Sequence, residues 1–182
     1  MYYDNYALGL VTDDEIEKYY EEDVFGDVDS KHILVSIDEE NGLSDEEAKK
    51  LAQEIIAKLD SGTSWDDVIS EYKDQIIDEE LGYQAFNANL DSAYLEECKN
   101  LEVGTYSKNP VLSSYGYHIV YKIDQKDKPE LDSVKEEVRE VLADEKKNDD
   151  ENLYYKALIH MREEANIEFF DTKFNDAYSE YI

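Results

Sequence analysis

The sequence predicts an α+β fold, a sheet covered by helices around residues 30–124 and flanked by helical segments at both ends. Three observations predict it. A β-branched run, Lys31 to Ile37, reads as a strand; a pair of short strands closes the region near Ile123; and segments of helical apolar period lie between them and outside them. The 182 residues carry 47 Asp plus Glu against 18 Lys plus Arg, a net charge of −29, yet 41% are hydrophobic, with 16 Tyr among them. That apolar content falls in patterned segments, so a core forms despite the charge.

From the N-terminus, Thr12 and Glu15 form a capping box ahead of Ile16, Tyr19 and Tyr20, a short helix over about residues 12–22 that must dock on something to persist. Asp23 to Ser30 reads as a linker. In the strand that follows, Ile33, Val35 and Ile37 share one face and His32, Leu34 and Ser36 the other. After a turn at Asn41-Gly42, a second capping box, Ser44 with Glu47, opens a helix carrying Ala48, Leu51, Ala52, Ile55, Ile56 and Leu59 and ending at Ser61-Gly62. Ser64 caps a shorter helix with Trp65, Val68, Ile69 and Tyr72. Lys73 to Asn89 reads as a loop with a short extended piece, and a third helix runs from about Ser92 to Asn100. Pro110 to Leu112 and Tyr117 to Ile123 are two strands joined by a tight turn. Two helical patterns follow Pro129, marked by Leu131, Val134, Val138, Val141 and Leu142, then by Leu153, Tyr154, Ala157, Leu158 and Met161. The stretch Asn148 to Glu151 either breaks them apart or is passed through as one long helix. Ile167 to Ile182 mixes aromatics and charge without a period.

Charge excludes several functions. Counted by segment it is −9 for residues 1–30, −12 for 31–125 and −8 for 126–182, so the whole surface is acidic. Nucleic acids and anionic membranes are repelled by such a surface. No run of about 18 apolar residues exists to span a bilayer, and the first residues lack a signal-peptide pattern. The single cysteine, Cys98, forms no internal disulfide. No calcium-loop, nucleophile-elbow or phosphate-loop motif is present.

Two of the three histidines, His32 and His118, sit in strands, each on the face opposite the more hydrophobic alternation. They are either hydrogen-bonded polar spacers or part of a site. Joined by Cys98 or a carboxylate they would make a zinc set, but the short-spaced ligand pairs of zinc sites are missing. His160 reads as an ordinary helix residue.

Lys31-His32-Ile33-Leu34-Val35, an amphipathic helix ending in glycine, Trp65 opening a second helix, Leu81-Gly82 and Gly116-Tyr117-His118-Ile119-Val120, in this order, resemble the parvulin family of peptidyl-prolyl isomerases over residues 28–124. The flanks, Thr12 to Tyr20 and Lys128-Pro129 into Val134 to Arg139, resemble the lobe-forming segments of PrsA-type foldases. The resemblance implies an FKBP-like antiparallel sheet in residues 30–125. It also implies a partial chaperone-like helical lobe made from residues 1–29 and 126–182. It places His32, His118 and Asp74 as a hydrogen-bonded catalytic cluster, with Gln75 a rival to Asp74. It puts Leu81, Leu90 and Tyr94 on a proline pocket, Phe86 as a further member, and Ser113 and Tyr115 on the turn beside His118. No cofactor is implied. The expected clients are unfolded or nascent exported polypeptides with X-Pro bonds, and nucleic acid is not among the partners. Asp38, Glu39 and Glu40 stand where the phosphoserine-directed branch carries basic residues, so no phosphopeptide preference is expected. The protein would act as a monomer or as a dimer through the helical lobe. The alternative function is a non-catalytic holdase that retains the fold. The resemblance further implies an extracytoplasmic, membrane-anchored or secreted parent of which this chain is a part.

Overall fold

A computed structural model describes residues 2–38 and 42–165. Glu39, Glu40, Asn41 and the segment from Ile167 onward, singled out above, lie outside the described residues. The chain divides into two compact units, one from the described parts of Met1–Val24 and Pro129–Ile182, the other Phe25–Lys128.

The second unit contains a four-stranded antiparallel sheet of β1 (Val28–Ser36), β2 (Ile77–Gln84), β3 (Val111–Ser113) and β4 (Gly116–Gln125), in the order β2-β1-β4-β3. Strand alternation sorts side chains to its two faces. Ile33, Val35, Tyr117 and Ile119 pack with Ala52, Ile55, Ile56 and Val68 from α3 (Asp45–Asp60) and α4 (Trp65–Tyr72), forming the main core. The opposite face, with His32, His118 and Lys122, meets α5 (Ser92–Asn100). Both histidines therefore belong to the layer covered by one short helix.

Two expectations are corrected. Asp23 to Ser30 is not a linker throughout, because Val28 already pairs with both Gln84 and Gln125. Within Lys73 to Asn89 the extended piece is longer than expected, since the eight residues Ile77–Gln84 form an edge strand beside β1. A bulge on β2 leaves Leu81 opposite no β1 residue, and Gly82 follows it at φ +65°, a conformation that glycine adopts without strain.

The capping boxes at Thr12 and Ser44 are both formed, and the Ser64 hydroxyl accepts the Asp67 amide. In the helical unit, α2 (Asp13–Asp23) and the unanticipated α1 (Tyr2–Gly9) pack against α6 (Leu131–Asp149), and α1 also meets α7 (Leu153–Glu164). The chain breaks at Asp150, so α6 and α7 are separate helices. Ala7, Ile16, Val138, Leu153 and Ala157 are buried there. Lys135, Lys146 and Lys147 of α6 pair with Asp13, Glu15 and Asp4 at 2.9, 2.6 and 3.0 Å.

Candidate active site

Antiparallel register brings the histidines together. His32 pairs with Val120 and His118 with Leu34, so the two rings are diagonal neighbours on one face, within reach of each other. Their centroids are 4.8 Å apart, with the planes at 78°. From α5, the Tyr94 ring meets each histidine edge-on at 5.4 Å. Its hydroxyl lies 3.1 Å from Ser30 Oγ and 3.4 Å from His32 Nδ1. On the other side, Ser113 Oγ lies 2.7 Å from His118 Nε2 and accepts the Tyr115 amide at 3.1 Å. His118 Nδ1 is buried without a hydrogen-bond partner among the described residues.

Burial sets the protonation of this group. The His32 imidazole is pushed below its ordinary value by desolvation, which Glu79 and Asp78 only partly oppose. His118 falls further, to about 4, through desolvation and then the neighbouring His32, with Asp91 pulling weakly the other way. Burial also drives the Tyr94 phenol well above its ordinary range. At neutral pH the three rings are therefore uncharged.

They open onto a cavity of about 440 Å³ that Leu81, Leu90 and Tyr115 also line. Ser113 reaches it through His118, and its neighbour Ser114 is on the wall. Phe86 is buried but does not line the cavity. The structure does not assemble the hydrogen-bonded cluster of His32, His118 and Asp74. Asp74 lines a separate cavity of about 470 Å³ with Ser36, Asp38 and Gln75. The reason is topological: β2 begins at Ile77, paired with Leu34, so Asp74 lies past the end of the β1–β2 ladder. Hydroxyls of Tyr94 and Ser113 stand beside the histidines instead.

Leu34, Glu79 and Asp91 also line the cavity and were not anticipated. Glu79 pairs with His32 and so shares its face, a placement that depends on β2, whose acidic composition carries no strand signal. Asp91 was readable as an N-cap; its carboxylate accepts the Ala93 amide at 3.0 Å.

Lys122 holds the layer together. Its side chain is 1% exposed, and its ammonium donates to the carbonyls of Cys98 at 2.8 Å, Leu101 at 2.7 Å and Lys99 at 3.5 Å. These carbonyls lie in the last turn of α5 and at the residue after it, the negative end of the helix, so one buried cation ties the strand of His118 to the helix of Tyr94. Cys98 is buried beside them with its thiol pushed up to about 11, chiefly by desolvation. Among the described residues no three His, Cys, Asp or Glu side chains are gathered to hold a metal ion.

Residues 11–136 match the family model described as the PPIC-type PPIase domain. The chain is 29% identical over 172 residues to foldase protein PrsA of Bacillus subtilis (strain 168), covering 93% of this chain and 53% of that protein. It is 29% identical over 173 residues to foldase protein PrsA of Halalkalibacterium halodurans, covering 92% of this chain and 46% of that one. The chain thus spans about half the length of these curated relatives. Among solved structures it is similar to the peptidylprolyl isomerase PrsA of Bacillus anthracis, with a TM-score of 0.51 and 26% identity over 93% of this chain and 71% of that one. The PrsA structure from Bacillus cereus has a TM-score of 0.61 at 24% identity, over 98% of this chain and 64% of the other, a likeness of fold.

Proposed function

The chain belongs to the PPIC-type peptidyl-prolyl isomerase family, and from that premise we propose that it catalyses cis/trans isomerisation of X-Pro bonds while assisting the folding of exported, unphosphorylated polypeptides. The observation that carries this reading is the pair of buried, neutral histidines on the wall of a cavity that Leu81, Leu90 and Tyr94 make partly apolar.

Rotation about the prolyl amide must overcome about 20 kcal/mol because resonance is lost on the way. In the twisted state the carbonyl oxygen gives up negative charge to the nitrogen. A cation fixed on that oxygen would stabilise the planar amide more than the twisted one and slow the reaction. Neutral rings and apolar walls do the opposite: they remove water from the planar amide while Leu81, Leu90 and Tyr94 grip the pyrrolidine ring. The role of His32 and His118 is thus to shape and desolvate, with Tyr94 and Ser113 holding their orientation. No bond is made or broken, and neither a nucleophile nor a proton transfer is required.

Likeness to PrsA foldases supports work on exported chains. The acidic side chains Glu79 and Asp91 on the cavity wall support unphosphorylated substrate. Exchange spectroscopy on proline peptides tests the activity. The protein should accelerate cis/trans exchange, and His32→Ala combined with Tyr94→Ala should abolish the acceleration. No acceleration, or none lost in the double variant, would reject catalysis.

A second reading is a holdase. It is favoured by the helical unit, which has its own buried core and a cavity of about 410 Å³ lined by Tyr2, Tyr6, Leu10 and His160. Suppression of client aggregation that survives the same double variant would support it.

A further inference from the structure

We propose that Glu79, with Asp91 as the second carboxylate on the wall, makes the histidine cavity select X-Pro bonds in which the residue before proline is lysine or arginine. The inference rests on reading the cavity as the prolyl site and adds the class of substrate it prefers.

The lining supplies the charge. Among the described residues it contains two histidines, two acidic residues and no lysine or arginine. Both histidines are held neutral by burial, so the wall presents negative charge only. The nearby basic side chain, Lys31, follows the opposite face of β1, where its ammonium stacks over Trp65 at 5.4 Å and Tyr121 at 5.3 Å.

The two carboxylates are not equivalent. Asp91 caps α5, and its charge is partly matched by the positive end of that helix. Glu79 sits on the edge strand, paired in register with His32, and no ion pair holds it among the described residues. Lys31 shares a second, smaller cavity with Glu79, but among the described residues no lysine or arginine stands beside Glu79 on the wall of the histidine cavity. Asp78 and Glu80 flank it in the strand and add to the same sign. A substrate cation beside the proline would meet attraction, and a carboxylate or phosphate repulsion.

Glu79 is exposed to solvent, which limits the size of the effect. Charge pairs of this kind shift an equilibrium by about threefold per unit charge, so Lys-Pro and Glu-Pro should differ by about tenfold. The effect must fade when the Debye length shrinks to about 3 Å at 1 M salt.

The test is kcat/KM of the full chain on peptides that differ only before the proline, with lysine, alanine, glutamate or phosphoserine there. The expected order is lysine, alanine, glutamate, phosphoserine at low salt. In Glu79→Gln the lysine-to-glutamate ratio should collapse toward one, as it should in 1 M NaCl. Equal rates across the series, or a ratio unchanged by Glu79→Gln, would overturn the proposal. If no peptide is isomerised, the catalytic reading fails, and affinities from chemical-shift perturbation of the His32 and His118 rings decide the selectivity instead. Lys-Pro binding tighter than Glu-Pro in the wild type but not in Glu79→Gln then supports it; equal affinities reject it.

Discussion

Protonating His118 puts a charge on a buried ring whose Nδ1 has no partner among the described residues, with another histidine 4.8 Å away. Its imidazole titrates at about 4 in the fold and near 6.5 in an unfolded chain. Between those values the unfolded state binds more protons. Stability from this group is therefore complete above about pH 6.5 and is lost as pH falls toward 4. On the proposed reading, isomerisation should be highest with both rings neutral and fall as acid protonates them, His118 at about pH 4. A ring-proton NMR titration of His118 run beside the rate profile checks both; a His118 midpoint near 6.5 would refute the account. Tyr94→Phe tests the other contact. It removes the hydroxyl that bridges Ser30 and His32, leaves Ser30 short of a buried partner, and should cost about 1–2 kcal/mol in urea unfolding. The histidine pair was legible because each residue sits in a strand of clear alternation. Asp74 was misplaced because sequence order gave no measure of where the β1–β2 ladder ends.

At the level of elements, α5 depends on a residue outside itself. The carbonyls of Cys98 and Lys99 in its last turn, and of Leu101 just after it, accept from Lys122 of β4. Lys122→Met keeps the apolar stem but orphans those acceptors, partly offset by the removal of a buried charge, so a net loss of about 2 kcal/mol is expected. The Tyr94 amide should then show faster hydrogen exchange than amides of α3. The β3–β4 turn has the opposite dependence, on a missing side chain. Gly116 has φ +136°, and a Cβ there would stand 2.2 Å from the Val35 carbonyl oxygen and 2.9 Å from Ser36 Cα. Backbone cannot yield as a side chain can, so Gly116→Ala should destabilise by at least about 3 kcal/mol in the same urea assay. Helix α3 was readable from its capping box and period, whereas β2 was not. Asp78-Glu79-Glu80 is unfavourable strand composition, and it is tolerated because β2 is an edge whose charges discourage pairing with another chain. Helix α1 was missed because its tyrosines are indifferent helix formers and no capping box announces it.

Across the whole molecule, the discontinuous helical unit was legible in outline from helical periods on both flanks, while its boundaries depended on pairings at Val28 that periodicity does not reveal. The charge was legible from composition alone, and it makes opposing demands. If every one of the 18 basic residues paired with one acid, 47 − 18 = 29 acidic residues would still lack a cation. The pairs of α6 with Asp13, Glu15 and Asp4 are solvent-accessible, so water and salt screen them and each adds little to stability. Repulsion among the remaining carboxylates acts throughout the compact state and is relieved on unfolding. Salt screens both, but the repulsive contacts outnumber the attractive ones, so screening should stabilise. Raising NaCl from 10 mM to 0.5 M at pH 7 should increase Tm by several degrees, with KCl acting equally; a fall in Tm would mean that the ion pairs dominate. The same salt should erase the preference for Lys-Pro peptides. One ionic-strength series would then move stability up and selectivity down, a divergence that only a net repulsive surface with an attractive site produces.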